Sequence, residues 1–466
     1  MDPRYDVLDL THRLAREYID GLPERPVNAP AEIDELRSRL GRPLTAAGED
    51  PHIVIEELAR DIAPGLMGSA GPRYFGFVIG GAVPVAVAAD WLTAAWDQNT
   101  AGAVTAPGVS VVEEIAADWL RDLLGLPKTC GLGFVTGGQM ANFTCLAAAR
   151  HAVLRDVGWD VEAGGLQGAP RLSVIAGEQA HVTVGVACRM LGLGTEAITW
   201  VPGDEGGRMI VAELEKALAE HEPPMIVCAQ AGEINTGGFD PLAEVVAACR
   251  AHGAWCHVDG AFGLWAAVSP RRRHLLRGYE GADSWATDAH KWLNVPYDCG
   301  IAAVADASAQ RAALSSTSAY IPPHEDGVRW GVDWVPEFSR RARVLPVYAA
   351  LRWLGREGVA SLVDRCCENA TLIADRLRQA DGVDVLNEVV LNQVLVRFED
   401  DDTATNEVIR RTQQSGTCWV SGSTFRGLAA MRISIVGWQT TAADMERSAE
   451  AILDAARTVG GQRLGV

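Results

Sequence analysis

Residues 255–263 read WCHVDGAFG and residues 284–296 read SWATDAHKWLNVP. Each begins as a short strand-like run and ends in a turn that carries charge. Asp259 closes the first run; Asp288, His290 and Lys291 follow the second. Working outward, the same grammar repeats. Apolar runs at 133–136, 172–176, 198–201 and 225–229 alternate with helix-like stretches at 139–156, 181–191, 211–220 and 240–252. Runs at 284–287 and 300–304 have no long helix between them. Strands alternating with helices predict an α/β fold with a mainly parallel sheet covered on both faces. In such a sheet ligands bind beyond the C-terminal strand ends. Asp259 and Lys291 both fall there.

The flanks differ. Helices are expected at 5–20 and 53–64, joined by a Pro-rich loop, and again at 83–97 and 110–125. A loop-like stretch covers 315–338, followed by helices at 342–356 and 358–380. Beyond it, strands at 391–398, 417–421 and 429–435 alternate with helices at 403–414 and 441–458. The expected organisation is an N-terminal helical segment (1–80), a large domain (81–340) and a small C-terminal α/β domain (341–466).

The chain has 466 residues, 48% of them hydrophobic, enough for a large core without covalent staples. Its net charge of −19 disfavours nucleic acid and anionic membrane as partners. The ten cysteines include no CxxC, so reduced thiols and a cytoplasmic location are expected, with no metal site. The N-terminus has no apolar signal core. The longest apolar stretch, 80–89, is cut by Asp90 and is too short to span a bilayer.

Lysine is scarce. Lys128, Lys216 and Lys291 are the only three among 41 basic residues. Arginine can replace lysine on a solvated surface but cannot form a Schiff base. Lys216 sits on the polar side of a helical pattern, and Lys128 in a turn. Lys291 sits between a strand and a Trp-Leu pair. HKW alone also suits a lysine snorkelling at a sheet edge. Asp259 alone suits a turn or a cap. Together, across one connection of a sheet, they suit pyridoxal phosphate (PLP), which needs an amine and an anion facing its ring nitrogen.

Residues 134–150, FVTGGQMANFTCLAAAR, run from a strand into Gly137 and Gly138 and then a helix beginning near Gln139. Backbone amides at such a helix start can hold a phosphate. The rival is a dinucleotide fingerprint, but Thr136 stands where its third glycine belongs. His181, at another helix start on the same sheet edge, suits either a cap or a ring that stacks on a flat ligand.

The ordered set TGGQMAN (136–142), EQAH (178–181), AGEINTGGFDP (231–241), HVDGAFG (257–263), DAHKW (288–292), SRRAR (339–343) and MRISI (431–435) resembles the group II PLP-dependent amino acid decarboxylases. The aromatic amino acid, histidine and glutamate decarboxylases belong to that family. The resemblance runs from about Arg73 to Glu450. It implies PLP fold type I, like aspartate aminotransferase, and a homodimer whose active site is shared between subunits. It also implies roles. Lys291 forms the internal aldimine, His290 and Asp288 stand at the phosphate, and Gly138 and Gln139 bind it. Asp259 pairs with the pyridine nitrogen, Ala261 packs under the ring and His181 stacks on it. Tyr320 matches a mobile-loop tyrosine that protonates Cα after CO₂ leaves. Ser339 and Arg432 match positions facing substrate, and Phe77, Val78 and Trp96 wall the side-chain pocket.

One departure stands out. The family has Thr or Asn near the ring hydroxyl where this chain has Glu233, so Asn235 or Thr236 is a candidate to replace that hydrogen bond. The expected reaction is decarboxylation of an L-amino acid to amine and CO₂. Alternatives on the same fold are aldehyde-forming oxidative deamination, transamination and carbon–carbon cleavage. An alternative of another class is a PLP-fold binding protein without catalysis.

Overall fold

Seven strands form the central sheet: β1 (Gly131–Val135), β2 (Ser173–Gly177), β3 (Ile198–Val201), β4 (Met225–Gln230), β5 (Trp255–Asp259), β6 (Ser284–Asp288) and β7 (Gly300–Val304). Their order is β1-β7-β6-β5-β4-β2-β3. The pairs from β6 through β3 are parallel, and β7 runs antiparallel to both β1 and β6. The mixed, mainly parallel sheet expected from the alternation is therefore present. β4, β5 and β6 are buried along their whole length, because helices cover both faces of such strands. The computed structural model describes residues 5–315 and 327–463.

The described chain divides into two compact units, Gly81–Thr371 with Leu386–Leu395, and Met1–Gly80 with Leu372–Val385 and Val396–Val466. The first holds the seven-stranded sheet. The second holds most of a four-stranded sheet ordered β10-β11-β9-β8, from β8 (Val383–Val385), β9 (Gln393–Phe398), β10 (Ser421–Phe425) and β11 (Leu428–Ser434). A strand was expected at 417–421; it lies instead at β10. Residues just before β10 are drawn to another segment: Trp419 donates its N–H to the Arg73 carbonyl, and Phe75 donates to that of Trp419. A helix at Ile33–Leu40 falls in the stretch read as loop. It buries no residue, so no apolar stripe announced it. The two helices expected at 342–356 and 358–380 join as Val344–Arg378, broken at Gly355 (φ 60°), a backbone angle that favours glycine.

In the larger unit a buried carboxylate holds two arginines. Glu113, on the helix Pro107–Leu123, meets Arg340 Nη1 at 2.8 Å and Arg329 Nε at 3.0 Å. Burial pushes Glu113 upward, but the two guanidinium groups outweigh it and hold the acid below its usual range. The same burial pulls Arg329 downward, yet a guanidinium stays charged. Glu113→Ala would leave two buried cations facing one another. It should cost about 3–5 kcal/mol, read from the urea midpoint at neutral pH. A loss under about 1 kcal/mol would show that the cluster is not a stability element. Because the folded pKa is depressed, this contribution is present above the ordinary carboxylate pKa and is lost as pH falls through the lowered value.

Candidate functional site

β1, β2, β4, β5 and β6 all end at one edge of the sheet, and their exit turns carry the candidate residues. β6 ends at Asp288, and Lys291 follows three residues later. Lys291 Nζ lies 3.1 Å from Asp288 Oδ2, with the lysine side chain 17% exposed and the aspartate 2%. A cation held in so dry a place is matched by that carboxylate. Asp288 Oδ1 is buried and, among the described residues, has no hydrogen-bond partner. His290 Nε2 stands 3.5 Å from it. His290 Nδ1 accepts from the Cys299 N–H at 3.2 Å, and burial holds this imidazole below its ordinary pKa. Its ring leans on Tyr297 at 4.3 Å.

The glycine turn sits against the same group. The helix Gly138–Asp156 starts without a side-chain cap. Its first N–H groups are thus available to an anion. A Cβ on Gly138 would fall 2.8 Å from Asp288 Oδ2, and one on Gly300 would fall 2.5 Å from the Gly137 carbonyl carbon. Only glycine permits that approach. Gln139, the next residue, is exposed, with its amide 4.0 Å from Met190 Sδ.

Asp259 is buried at the end of β5. Its Oδ1 accepts the Ala261 N–H at 3.1 Å, and its Oδ2 accepts Asn142 Nδ2 at 2.9 Å. Ala261 is tied to β6 in turn, since its carbonyl accepts the Asp288 N–H at 2.8 Å. His181 caps the helix Val182–Met190. Its Nδ1 lies 2.8 Å from Thr183 Oγ1, and its N–H donates to Gln230 Oε1 at the end of β4. Asn142 Nδ2 also donates to Thr183 Oγ1, at 3.1 Å. Asn142 Oδ1 meets His257 Nε2 at 2.9 Å.

Asn142 and His257 were missed by sequence reasoning. Asn142 was one polar residue in an alanine-rich helix, and His257 one in a strand. The only signal was that each interrupts an otherwise apolar buried run. His257 is fully buried, and desolvation above all pushes its pKa down to about 4, against the pull of Asp259. Between pH 6.5 and about 4 the unfolded chain binds a proton there and the folded chain does not. Folding stability therefore falls as pH falls through that window, by about 3 kcal/mol in all. His257→Gln should flatten the pH dependence of unfolding free energy by up to one proton in that range. Equal slopes for both proteins would contradict the assignment.

Glu233 is buried in the turn after β4 and spends its oxygens on that turn. Oε2 accepts the N–H groups of Asn235 at 2.8 Å and Thr236 at 2.6 Å, and Oε1 accepts Asn235 Nδ2 at 2.8 Å. Burial raises its pKa. Thr236 Oγ1 meets the Gly206 carbonyl and Glu233 itself.

The remaining candidates make none of the contacts described above. Ser339 is exposed and accepts from Asn99 at 3.3 Å, and Trp96 is 53% exposed. Phe77, Val78 and Arg432 belong to the smaller unit. There Phe77 and the fully buried Val78 both take left-handed φ (51° and 60°), a strained state for non-glycine residues. Arg432 is buried on β11 opposite Ser421. Tyr320 lies outside the described residues.

An amine, a carboxylate anchored by two donors and an uncapped helix start thus share one sheet edge. The model of the pyridoxal-dependent decarboxylase conserved domain matches residues 35–399. The chain belongs to the pyridoxal-dependent decarboxylase family. It is an enzyme, a lyase that removes CO₂ with pyridoxal phosphate as cofactor. It is 28% identical to the aromatic-L-amino-acid decarboxylase of Bacillus atrophaeus, over 89% of this chain and 85% of that one. It is 29% identical to the human acidic amino acid decarboxylase GADL1, over 76% and 68%. The crystal structure of Oryza sativa TDC with PLP and tryptamine superposes with a TM-score of 0.92 at 24% identity, covering 98% of each chain. That likeness shows the decarboxylase to have fold type I. No helix among the described residues is long and apolar enough to cross a membrane.

The side chains present fit the cofactor. The bare, uncapped start of the helix at Gly138 suits its phosphate, and the twice-anchored Asp259 carboxylate suits its ring nitrogen.

Proposed function

We propose that this decarboxylase converts an L-amino acid to the amine and CO₂, with Lys291 as the residue that holds the cofactor covalently. The observation that carries the reading is the placement of Lys291 Nζ, 3.1 Å from Asp288 and largely buried, on the sheet edge where Asp259 also emerges. Bound there, the cofactor withdraws electrons from Cα, so that the bond to the carboxylate can break heterolytically. The chain's own groups do the rest. Asp259 presents a carboxylate to the ring nitrogen. His181 offers a flat ring against the cofactor face. Gly137, Gly138 and Gln139 hold the phosphate with backbone N–H groups, and His290 lies beside it. Ala261 packs beneath the ring. Asp288 pairs with the Lys291 ammonium and orients it. Tyr320 is assigned the proton that Cα receives when CO₂ departs, and Arg432 the substrate carboxylate.

Glu233 is proposed to shape its loop. Its oxygens are taken up by Asn235 and Thr236, which supports a structural part for all three. Phe77, Val78, Trp96 and Ser339 are assigned to the wall around the substrate side chain. We further propose a cytoplasmic homodimer. All ten cysteines are free and buried, in keeping with a reducing compartment. In the larger unit Trp91, Leu92, Trp96, Val111 and Trp119 are exposed, an apolar surface suited to a second subunit.

The test is a panel of L-amino acids at neutral pH with CO₂ and amine both measured. Equal amounts of the two from at least one amino acid are expected. An aldehyde with ammonia in place of the amine would turn the reading to oxidative deamination, and a keto acid without CO₂ to transamination.

A further inference from the structure

Seven side chains form one connected hydrogen-bond chain that runs from the starts of β5 and β6 to this edge. Trp255 Nε1 is only a donor, and it gives its hydrogen to Ser284 Oγ at 2.9 Å. Ser284 Oγ also faces His257 Nδ1 at 2.9 Å, and His257 Nε2 faces Asn142 Oδ1 at 2.9 Å. Asn142 Nδ2 faces Asp259 Oδ2 at 2.9 Å and Thr183 Oγ1 at 3.1 Å. Thr183 Oγ1 meets His181 Nδ1 at 2.8 Å.

The carboxylate of Asp259 is only an acceptor, which fixes the Asn142 amide with its NH₂ toward Asp259 and Thr183. The amide oxygen must then receive a hydrogen from His257 Nε2. A neutral His257 therefore accepts at Nδ1, from the Ser284 hydroxyl. On the other branch the Thr183 backbone N–H, which can only donate, points at His181 Nδ1 at 3.4 Å, so that nitrogen is an acceptor. Thr183 Oγ1, 2.8 Å away and itself accepting from Asn142, therefore gives its hydrogen to His181 Nδ1. All hydrogens run one way, from the Trp255 indole to Asp259 and His181.

We propose that Asn142 is a positioning residue that sets two things at once: the orientation of the Asp259 carboxylate and the Nε2–H tautomer of His181. Its two amide hydrogens are divided between them. A residue that only filled space in the helix could leave Asp259 turned and His181 free to carry its hydrogen on either nitrogen. The inference rests on the reading of Asp259 and His181 given above, as the groups at the ring nitrogen and ring face of the cofactor.

The test uses the full chain with ring-¹⁵N-labelled histidine, with and without PLP, and the His181 signals assigned by their loss in His181→Gln. Wild type should show His181 with an unprotonated Nδ1 and a protonated Nε2. Asn142→Asp puts an acceptor where the NH₂ was, draws the Thr183 hydroxyl hydrogen away and mixes the two tautomers. Asn142→Asp and Asn142→Ala should also speed PLP dissociation by about tenfold, through loss of a charge-assisted bond to Asp259. Thr183→Val, a milder change in case the Asn142 variants fail to fold, should mix the tautomers and change PLP release by less than about twofold. A wild-type His181 protonated at Nδ1 would overturn the proposal. So would a tautomer unmoved by Thr183→Val, or a PLP release rate unmoved by either Asn142 variant. The tautomer is read without cofactor, so it tests Asn142 even where the chain yields no amine.

Discussion

Lys291→Ala is expected to lower kcat for decarboxylation by at least on the order of 10³-fold and to leave PLP held only non-covalently. Three causes act together. The variant lacks the only lysine amine on this sheet edge; Lys216 pairs with Glu213 on an exposed helix instead. It also leaves Asp288, 2% exposed, without its cation, so an uncompensated carboxylate sits against the Gly137–Gly138 turn. Release of the amine product, finally, has no internal nucleophile to drive it. Lys291→Arg separates these causes, because it keeps the charge beside Asp288 but cannot bond covalently to the cofactor. Single-turnover kinetics and the visible absorbance of the bound cofactor check both variants. Near-normal turnover in either would remove Lys291 from the chemistry.

Asp259→Asn is expected to lower kcat by on the order of 10²- to 10³-fold with a smaller effect on KM. The amide has the same shape but no negative charge to offer the ring nitrogen. Its own NH₂ also conflicts with one of the two donors that now fix the carboxylate, Ala261 N–H or Asn142 Nδ2. Both losses act where charge develops as the Cα–carboxylate bond breaks, so the penalty falls on kcat. Steady-state kinetics on the best amino acid of the panel gives the split. A change confined to KM would make Asp259 a binding residue only.

How much of this was legible beforehand depended on whether physics wrote it locally. β3, β5 and β7 fall at the expected residues because a buried parallel strand is a short apolar run bounded by turns. Lys291 and Asp259 stand out in the sequence because both lie at the ends of such runs, Asp259 closing β5 and Lys291 three residues past β6. His181 could be placed at a helix start for the same reason. The ranks of buried polar groups behind them could not. Asn142 and Glu113 each sit buried on a helix, and nothing near them in the sequence names their partners. Their partners, Asp259 and His257 for one and Arg329 and Arg340 for the other, lie more than a hundred residues away. Glu233 was noticed as a departure, but that its oxygens fold back onto its own turn is a fact of backbone geometry that composition does not carry.

One lysine of three is proposed to hold the cofactor, and borohydride reduction of the PLP-loaded enzyme, followed by proteolysis and mass measurement of the labelled peptide, identifies it. The added mass is expected on the peptide containing Asp288–Trp292, at Lys291. Label on Lys128 or Lys216, or PLP bound with no lysine labelled, would contradict it.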